Sequence, residues 1–326
     1  MHLYVLVENK TTYGVNLMED AKKIIDEVKK AVVGKDNILG KVLMAILAQG
    51  HVLLEDVPGV GKTTMALAFS KAMELSYKRL QFTPDVMPSD VTGYTMLQHA
   101  EGKSVFVPGA VMCNLFLADE INRTSSKTQS ALLEVMEESA VTVDGVTHPV
   151  PRPFLVIATQ NPVGSSGTQP LPESQIDRFM ARLSLGYPDQ QSEMEMLRRR
   201  KNISAIRPIQ QVVTPDRLIA MQEQVGKVFV SDPLYDYITA LTSWTRTQPE
   251  IRLGVSPRGS IALMEMAKAC AFVHDRDYLA PEDVREVFAD VCGHRILPGP
   301  KARIGGLGVP ELIARALEQV KAPAAV

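Results

Sequence analysis

The sequence has few cysteines, no long apolar run and almost no net charge, and each of these absences excludes a class of protein. The three cysteines are far apart with no C-x-x-C spacing, which is typical of reduced thiols rather than of a disulfide framework. No apolar stretch reaches the roughly eighteen residues of a membrane helix, and the start MHLYVLVENK lacks the pattern of a secretory signal. A formal net charge of −2 gives no overall attraction to nucleic acid or to an anionic membrane. We therefore expect a cytoplasmic protein without membrane insertion.

Signatures of a metal hydrolase are also missing. The six histidines are scattered and no H-E-x-x-H occurs, so a zinc hydrolase is disfavoured. The composition is that of a globular protein: 45% of the 326 residues are hydrophobic. This length favours one large domain and one smaller one.

One stretch, HVLLEDVPGVGKTT, has the pattern of a phosphate-binding loop between a strand and a helix. Glycines let successive backbone N–H groups converge on an anion, and the following helix adds its positive end. In this pattern the lysine reaches the β- and γ-phosphates and the next hydroxyl faces Mg²⁺. The generic motif has glycine where this chain has Asp56. The alternative interpretation of the whole stretch is an ordinary Gly-rich turn that does not bind phosphate. The predicted nucleotide-binding residues are Pro58, Gly59, Val60, Gly61, Lys62, Thr63 and Thr64.

Two further apolar strands end in polar residues. Residues 114–118 lead into Asp119 and Glu120, and residues 154–158 lead into Asn161. In a parallel sheet such ends meet at one edge, where ligands bind. There Asp119 would serve Mg²⁺, Glu120 would deprotonate a water and Asn161 would orient it. Alone, the acids also suit a helix start and the asparagine a turn, but the phosphate loop upstream favours triphosphate hydrolysis.

Hydrolysis also needs positive charge on the transition state. Three arginines are candidates: Arg123, Arg178 and Arg258. Each suits a surface salt bridge equally well, which is the commonest role of arginine. The residues alone do not choose among them.

The order of the patterns predicts an α/β fold, with a mostly parallel sheet, helices on both faces and two inserted β-hairpins. One hairpin surrounds Ala100-Glu101-Gly102, and the other turns at Asp144-Gly145, a pair that favours a type I′ turn. Near Tyr187 the β signals stop and the remainder reads as helical. The predicted helices there are Gln190 to Lys201, Pro215 to Val225, Pro233 to Arg246, Pro257 to Val273 and Pro281 to Arg295. The predicted divisions are an N-terminal extension (1–17), an α/β nucleotide-binding domain (18–187) and an all-α lid domain (188–326).

Five segments, taken together, resemble the MoxR family of AAA+ ATPases, a group of P-loop NTPases. They run in the family's order and cover Val32 to Arg258, and Asp56 resembles the family's own variant of the loop. The resemblance implies an AAA+ core followed by a helical lid. The segments are VVGKDNI, LLEDVPGVGKTT, LFLADEINRTSSKTQSALLEVMEE, ATQNPVGSSGTQPLPESQIDRF and GVSPRG.

Carried over residue by residue, the resemblance implies a role for each candidate. Lys62 and Thr63 match the Walker A pair, and Val33 and Gly34 lie where the adenine base would sit. The other matches are Asp119 as the Walker B acid, Glu120 as the catalytic glutamate, Asn161 as sensor 1, Arg178 as the arginine finger acting on the neighbouring subunit's nucleotide, Arg258 as sensor 2 reaching the phosphates from the lid, and Arg123 as a further interface contact.

The resemblance also implies ATP and Mg²⁺ as cofactors and a homo-oligomeric ring, expected to be a hexamer. The ring would remodel a protein client in a chaperone-like way, beside a partner with a von Willebrand factor A domain. Two alternatives stay open: a nucleic-acid-dependent motor, and a scaffold that binds nucleotide without turnover. The one basic run, residues 198–201, is typical of a solvated helix end, and acids at the hairpin tips would repel phosphates. No specific nucleic acid is therefore expected.

Overall fold

The computed structural model of the chain describes residues 17–57, 59–98, 103–161, 171–201 and 208–323. Pro58, the tip of the first hairpin at Ala100-Glu101-Gly102 and all but the last residue of the predicted N-terminal extension lie outside these residues. Within them, none of the helices has both the length and the apolar character needed to cross a membrane.

Helices and strands alternate through the first half of the chain, and helices dominate the second. The helices are α1 (Leu17–Lys29), α2 (Asp36–Leu47), α3 (Lys62–Ala72), α4 (Pro88–Thr92), α5 (Ser126–Glu138), α6 (Glu173–Ile176), α7 (Gln190–Lys201), α8 (Pro215–Gly226), α9 (Asp232–Thr247), α10 (Pro257–Val273), α11 (Pro281–Cys292), α12 (Pro300–Ile304) and α13 (Val309–Gln319). The strands are β1 (Val52–Glu55), β2 (Tyr77–Gln81), β3 (Gly93–Gln98), β4 (Lys103–Pro108), β5 (Leu115–Asp119), β6 (Ala140–Val143), β7 (Val146–Pro149), β8 (Leu155–Gln160), β9 (Ala181–Leu183), β10 (Ile251–Leu253) and β11 (Leu297–Pro298).

Five strands form the central sheet, in the spatial order β2-β5-β8-β1-β9, and every neighbouring pair is parallel. Alternate side chains of β5 enter different apolar clusters: Leu115 and Leu117 join one, and Phe116 and Ala118 the other. Strands that are apolar on both faces need cover on both faces. The helices supply it, and the predicted mostly parallel α/β core is confirmed.

Two antiparallel hairpins extend from this core, β3 with β4 and β6 with β7. At the second turn, Asp144 and Gly145 both have positive φ values, 50° and 79°. A type I′ turn requires positive φ at both central residues. Both predicted hairpins are therefore confirmed.

The described part of the chain from α7 to α13 is mostly helical, and we call it the lid. Helices predicted to begin at Pro215, Pro257 and Pro281 do so, with proline in the first turn, where no N–H is needed. The expectation that β structure stops near Tyr187 is wrong in one detail, because β10 and β11 pair antiparallel within the lid. Strands of two and three residues are too short to show a period-two pattern.

The lid packs against the helices that precede the phosphate loop. One continuous apolar cluster includes one face of the sheet, α1 to α3 and the lid helices α8, α10 and α11. The opposite face of the sheet is covered by α5 through Leu132 and Leu133. This docking brings the start of α10 and the end of α11 to residues 177–180, the loop just before β9.

Candidate active site

The loop between β1 and α3 has the geometry of an anion-binding turn. Gly59 and Gly61 have φ values of 87° and 97°, and Gly61 is the N-cap of α3. Since glycine alone adopts these values without strain, the glycines are required by conformation. The turn presents the first N–H groups of α3 at the helix end, which is the arrangement that binds phosphate. Val60 and Thr63 are half-buried there, and Thr64 is exposed.

Lys62 begins α3, and its side chain is buried beside this turn. Its ammonium donates to the carbonyl oxygen of Asp56 at 2.9 Å. Burial lowers the pKa of Lys62, and the carboxylates of Asp56, Asp119 and Glu120 partly oppose that shift. An ammonium has three donors, and a polyphosphate in the loop would add negative charge that favours the protonated form. The loop therefore fits a triphosphate.

Asp56, which departs from the generic loop motif, ties the loop to the connection between β9 and the lid. Its carboxylate accepts hydrogen bonds from Ser184 Oγ at 2.7 Å, Leu185 N at 2.7 Å and Gly186 N at 3.0 Å. Glycine at this position would leave all three donors without that acceptor. The departure therefore has a structural purpose, which is to join the phosphate loop to the segment leading into the lid.

Asp119 lies at the carboxyl end of β5 and is bound from both neighbouring strands. Arg79 on β2 donates to Oδ2 through Nε at 3.1 Å and Nη2 at 2.6 Å, and Thr159 on β8 donates to Oδ1 at 2.7 Å. Among the described residues, Oδ1 accepts only this one hydrogen bond and keeps a second lone pair, whereas Arg79 uses both lone pairs of Oδ2. Because hard cations prefer oxygen ligands, Asp119 and the Thr63 hydroxyl could hold a magnesium ion, for which Arg79 is a competing cation.

Glu120 follows Asp119 but is held by a different set of groups. Glu120 has a φ of 58°, in the left-handed region. Its carboxylate accepts hydrogen bonds from Arg123 Nη1 at 2.9 Å and Asn161 Nδ2 at 3.2 Å. Burial raises the pKa of Glu120, but these two hydrogen bonds outweigh that effect and hold the pKa below its ordinary value. A carboxylate that is ionised at neutral pH and bound to the predicted water-orienting amide can accept a proton from water.

The structure thus brings Lys62, Asp119, Glu120 and Asn161 to one edge of the sheet. It places Arg123, expected at an interface, on Glu120 of its own chain.

Arg178 and Arg258 lie together at another position. Arg178 donates to Leu133 O at 2.8 Å and pairs with Glu137 at 2.7 Å. Arg258, at the start of α10, binds the other oxygen of the same carboxylate. The structure therefore places Arg258 beside Arg178 and Glu137, and the expectation that it reaches the phosphates from the lid stays a prediction.

Val33 is half-buried, and Gly34 lies against α7, the first helix after the sheet. Gly34 has a φ of 71°, and a Cβ at this position would overlap Ser192 Oγ, so only glycine allows this approach. The adjacent Lys35 donates to the carbonyl oxygen of Tyr187 at 2.8 Å. This contact lies next to residues 184–186, which Asp56 binds.

Sequence reasoning missed three residues of this site. Arg79 and Thr159 bind Asp119, and Asn122 accepts from the backbone N–H of Asn161 at 3.3 Å and donates to its carbonyl at 3.1 Å. Thr159 had one usable signal, since it is the polar residue that ends an apolar strand. Arg79 had none, because its role depends on β2 being the neighbour of β5.

Comparisons with known proteins agree with this geometry. A family model described as the ATPase family associated with various cellular activities (AAA) matches residues 51–181, and a model of the AAA lid domain matches residues 244–313. The chain is 45% identical to the uncharacterized protein YeaC of Bacillus subtilis, over 92% of the chain and 94% of that protein. It is 38% identical to the chaperone MoxR1 of Mycobacterium tuberculosis, over 93% of the chain and 82% of that protein.

A solved structure supports the same fold. The crystal structure of a candidate ATPase from Cytophaga hutchinsonii matches with a TM-score of 0.87 and 39% sequence identity. The match covers 94% of this chain and 96% of that one. The core and the lid are therefore both present in that protein.

Proposed function

The chain belongs to the MoxR family of AAA+ ATPases, and we propose that it hydrolyses ATP in a ring of identical subunits to remodel a protein client. The observation that carries the proposal is the site at the sheet edge: a buried lysine in the phosphate loop, an acid on β5, and a glutamate bound to Asn161. A turn that only bound an anion would not need the glutamate and the amide.

In the proposed reaction, each group acts on a stated atom. Lys62 and the N–H groups at the start of α3 bind the β- and γ-phosphates. Thr63 and Asp119 would hold Mg²⁺, which neutralises charge on the phosphate oxygens. Asn161 orients a water, and Glu120 takes its proton as the oxygen attacks the γ-phosphorus. The bond between the γ-phosphorus and the β–γ bridging oxygen breaks, and ADP and phosphate leave.

The proposed site is completed by the next subunit. Arg178 and Arg258 share Glu137, and within the described residues neither makes a polar contact with the phosphate loop of its own chain. We infer that both arginines serve the neighbour's nucleotide, so one subunit cannot complete a site. A closed ring, for which we propose six subunits, gives every site its arginines.

The first hairpin supports a protein client rather than nucleic acid. Tyr94 and Met96 are on the same face of β3 and are 50% and 46% exposed. Val105 of β4 lies opposite Met96 and is 39% exposed. Exposed apolar side chains in a group mark contacts with proteins. We also propose that the ring works with a partner that has a von Willebrand factor A domain. The proposed location of the ring is the cytoplasm.

The test combines two inactive variants. Glu120→Gln has an inactive nucleotide site but an intact arginine finger. Arg178→Ala has an intact nucleotide site but no finger. Each alone should lose about 100-fold or more of its phosphate release. In an equal random mixture, about one in four interfaces between neighbouring subunits, here called seams, joins an intact nucleotide site to an intact arginine finger. Up to about a quarter of the parental rate should therefore return. Arg258→Ala should be rescued by Glu120→Gln in the same way.

Three outcomes would overturn parts of the proposal. If Arg178→Ala hydrolyses ATP at the parental rate in a verified oligomer, the proposal of a shared site is wrong. If Glu120→Gln does not rescue Arg258→Ala, Arg258 acts on the nucleotide of its own subunit. Strong stimulation of turnover by added DNA would favour a nucleic-acid motor over a protein remodeller.

A further inference from the structure

The arginine finger lies in a loop whose backbone is bound by the lid. This loop, Asp177–Met180, runs from α6 to β9, and its carbonyl groups need partners outside a regular helix or sheet. Ordinary surface loops obtain such partners from water or from within the loop. Here a single side chain from the lid supplies several of them.

That side chain is Arg295, in the tight turn Gly293–Arg295 that follows α11. Its side chain is 3% exposed. Nη2 donates to the carbonyl oxygens of Asp177 and Phe179 at 2.9 and 2.7 Å, and Nη1 to that of Met180 at 3.2 Å. Nε binds the Asp177 carboxylate at 2.7 Å. One residue therefore fixes the backbone on both sides of Arg178.

Other residues of the lid contact the same loop or make room for the guanidinium group. Ser256, the N-cap of α10, lies 2.9 Å from the Asp177 carboxylate through its hydroxyl. His294 Nε2 lies 3.2 Å from Phe179 O. Burial and the charge of Arg295 hold the pKa of His294 well below its ordinary value, so the neutral ring donates that hydrogen bond. A Cβ at Gly259 would lie 2.7 Å from Arg295 Cδ, so glycine makes room for the arginine.

We propose that Arg295 is a positioning residue that sets where its own chain presents Arg178 to the neighbouring subunit. Because Arg295, Ser256 and Arg258 all belong to the lid, a movement of the lid in one subunit would move the finger that faces the next subunit's nucleotide. The state of one site would thereby control catalysis at its neighbour. This inference rests on the shared site proposed above.

A buried ion pair that only stabilises the fold is the competing explanation. Such a pair needs charge and packing, whereas a planar fork of donors here reaches three carbonyl oxygens of the loop and also that of Val291 within the lid. Lysine keeps the charge but has no such fork. Arg295→Lys in the full-length ring therefore separates the two explanations.

We expect Arg295→Lys to assemble and to bind a fluorescent ATP analogue within twofold of the parental protein, because the phosphate loop is untouched. Its kcat should fall at least tenfold with little change in KM. An excess of Glu120→Gln subunits should restore phosphate release, because they supply intact fingers to the variant's intact sites. Arg252→Lys is the matched control: Arg252 also joins the lid to the core, at Glu173, but is exposed, and its kcat should stay within twofold.

Asp177→Asn is the milder second variant, for use if Arg295→Lys does not assemble. It keeps the carbonyl contacts and removes the charge that Arg295 and Ser256 bind, so kcat should fall about threefold and recover with Glu120→Gln. Parental kcat in an assembled variant, or a loss that Glu120→Gln does not rescue, overturns the inference. If Arg178→Ala is itself active, the proposed function has failed. If Arg178→Ala is inactive and Arg295→Lys is normal, only this inference has failed.

Discussion

Asp119 and Glu120 are adjacent, yet their carboxylates belong to separate hydrogen-bond networks. Arg79 and Thr159 bind the first, and Arg123 and Asn161 bind the second. The left-handed backbone at Glu120 redirects its side chain away from that of Asp119. In the proposed reaction these two carboxylates have different tasks: Asp119 would hold the metal, and Glu120 would act on the water.

At the residue scale, motifs predicted where the candidate reacting groups lie but not the groups that hold them. The phosphate-loop pattern predicted the position of Lys62, and Asp119 and Asn161 were expected together because carboxyl ends of parallel strands meet at one edge. Arg79 acts on Asp119 only because β2 lies next to β5, and strand order is not contained in a local pattern. Partners that are distant in sequence therefore had to come from the structure.

His51 gives the fold a defined sensitivity to acid. Its Nδ1 accepts from Val156 N at 3.1 Å, and its Nε2 lies 3.1 Å from Met136 O. Burial lowers the pKa of His51 to about 4, against about 6.5 in an unfolded chain. The unfolded state therefore binds the proton more tightly, so this contribution to stability is complete above pH 6.5 and declines as the pH falls toward 4.

We expect His51→Gln to lower the free energy of unfolding at pH 7 but to reduce its dependence on pH. Between pH 7 and pH 5, the parental chain should lose about 2 kcal/mol more than the variant, because only the parental chain carries this proton-linked term. Urea unfolding followed by circular dichroism at both pH values measures the difference. Equal losses in the two proteins would contradict the assignment.

At the scale of elements, the connection from β9 to the lid is bound from the phosphate loop. Asp56 accepts from Ser184, Leu185 and Gly186, while its own carbonyl accepts from Lys62. A change at the loop on nucleotide binding would therefore reach the start of the lid through one residue. The generic glycine cannot make this link.

We expect Asp56→Gly to destabilise the protein by about 3 kcal/mol, because three donors lose a charged acceptor. Exchange of the Leu185 and Gly186 amide hydrogens should become faster. Ser184→Ala removes one of the three hydrogen bonds and should cost about 1 kcal/mol. Hydrogen exchange and urea unfolding test both variants, and unchanged exchange at these two amides would contradict the link.

Most elements could be predicted, and the exceptions share a physical cause. Proline at helix starts and Asp-Gly at the second hairpin specify local backbone conformation, so these features were found. The predicted helix from Pro281 to Arg295 is interrupted: α11 ends at Cys292 and a tighter turn follows. That turn is set by the non-local bonds of Arg295, as β10 and β11 are set by each other. Local patterns do not record such bonds.

At the scale of the whole molecule, the proposed catalytic and activating groups are on separate parts of one chain. Lys62, Asp119 and Glu120 lie at the sheet edge, whereas Arg178 and Arg258 share the single carboxylate of Glu137 on α5. In the proposed ring, the arginines must exchange this carboxylate for the phosphates of the neighbouring subunit. Glu137 is therefore expected to oppose assembly of the active seam.

We expect Glu137→Gln to reach full specific activity at a lower protein concentration than the parental chain. Glu137 makes two partly exposed pairs, which contribute about 0.2–1 kcal/mol each. The half-saturating concentration should therefore fall roughly two- to thirtyfold, with the same activity at saturation. Phosphate release across a dilution series measures this shift. Glu134→Gln, an equal change of charge at an exposed position of α5, should match the parental curve. Lower activity of Glu137→Gln at every concentration would show that Glu137 orients the arginines instead of competing for them.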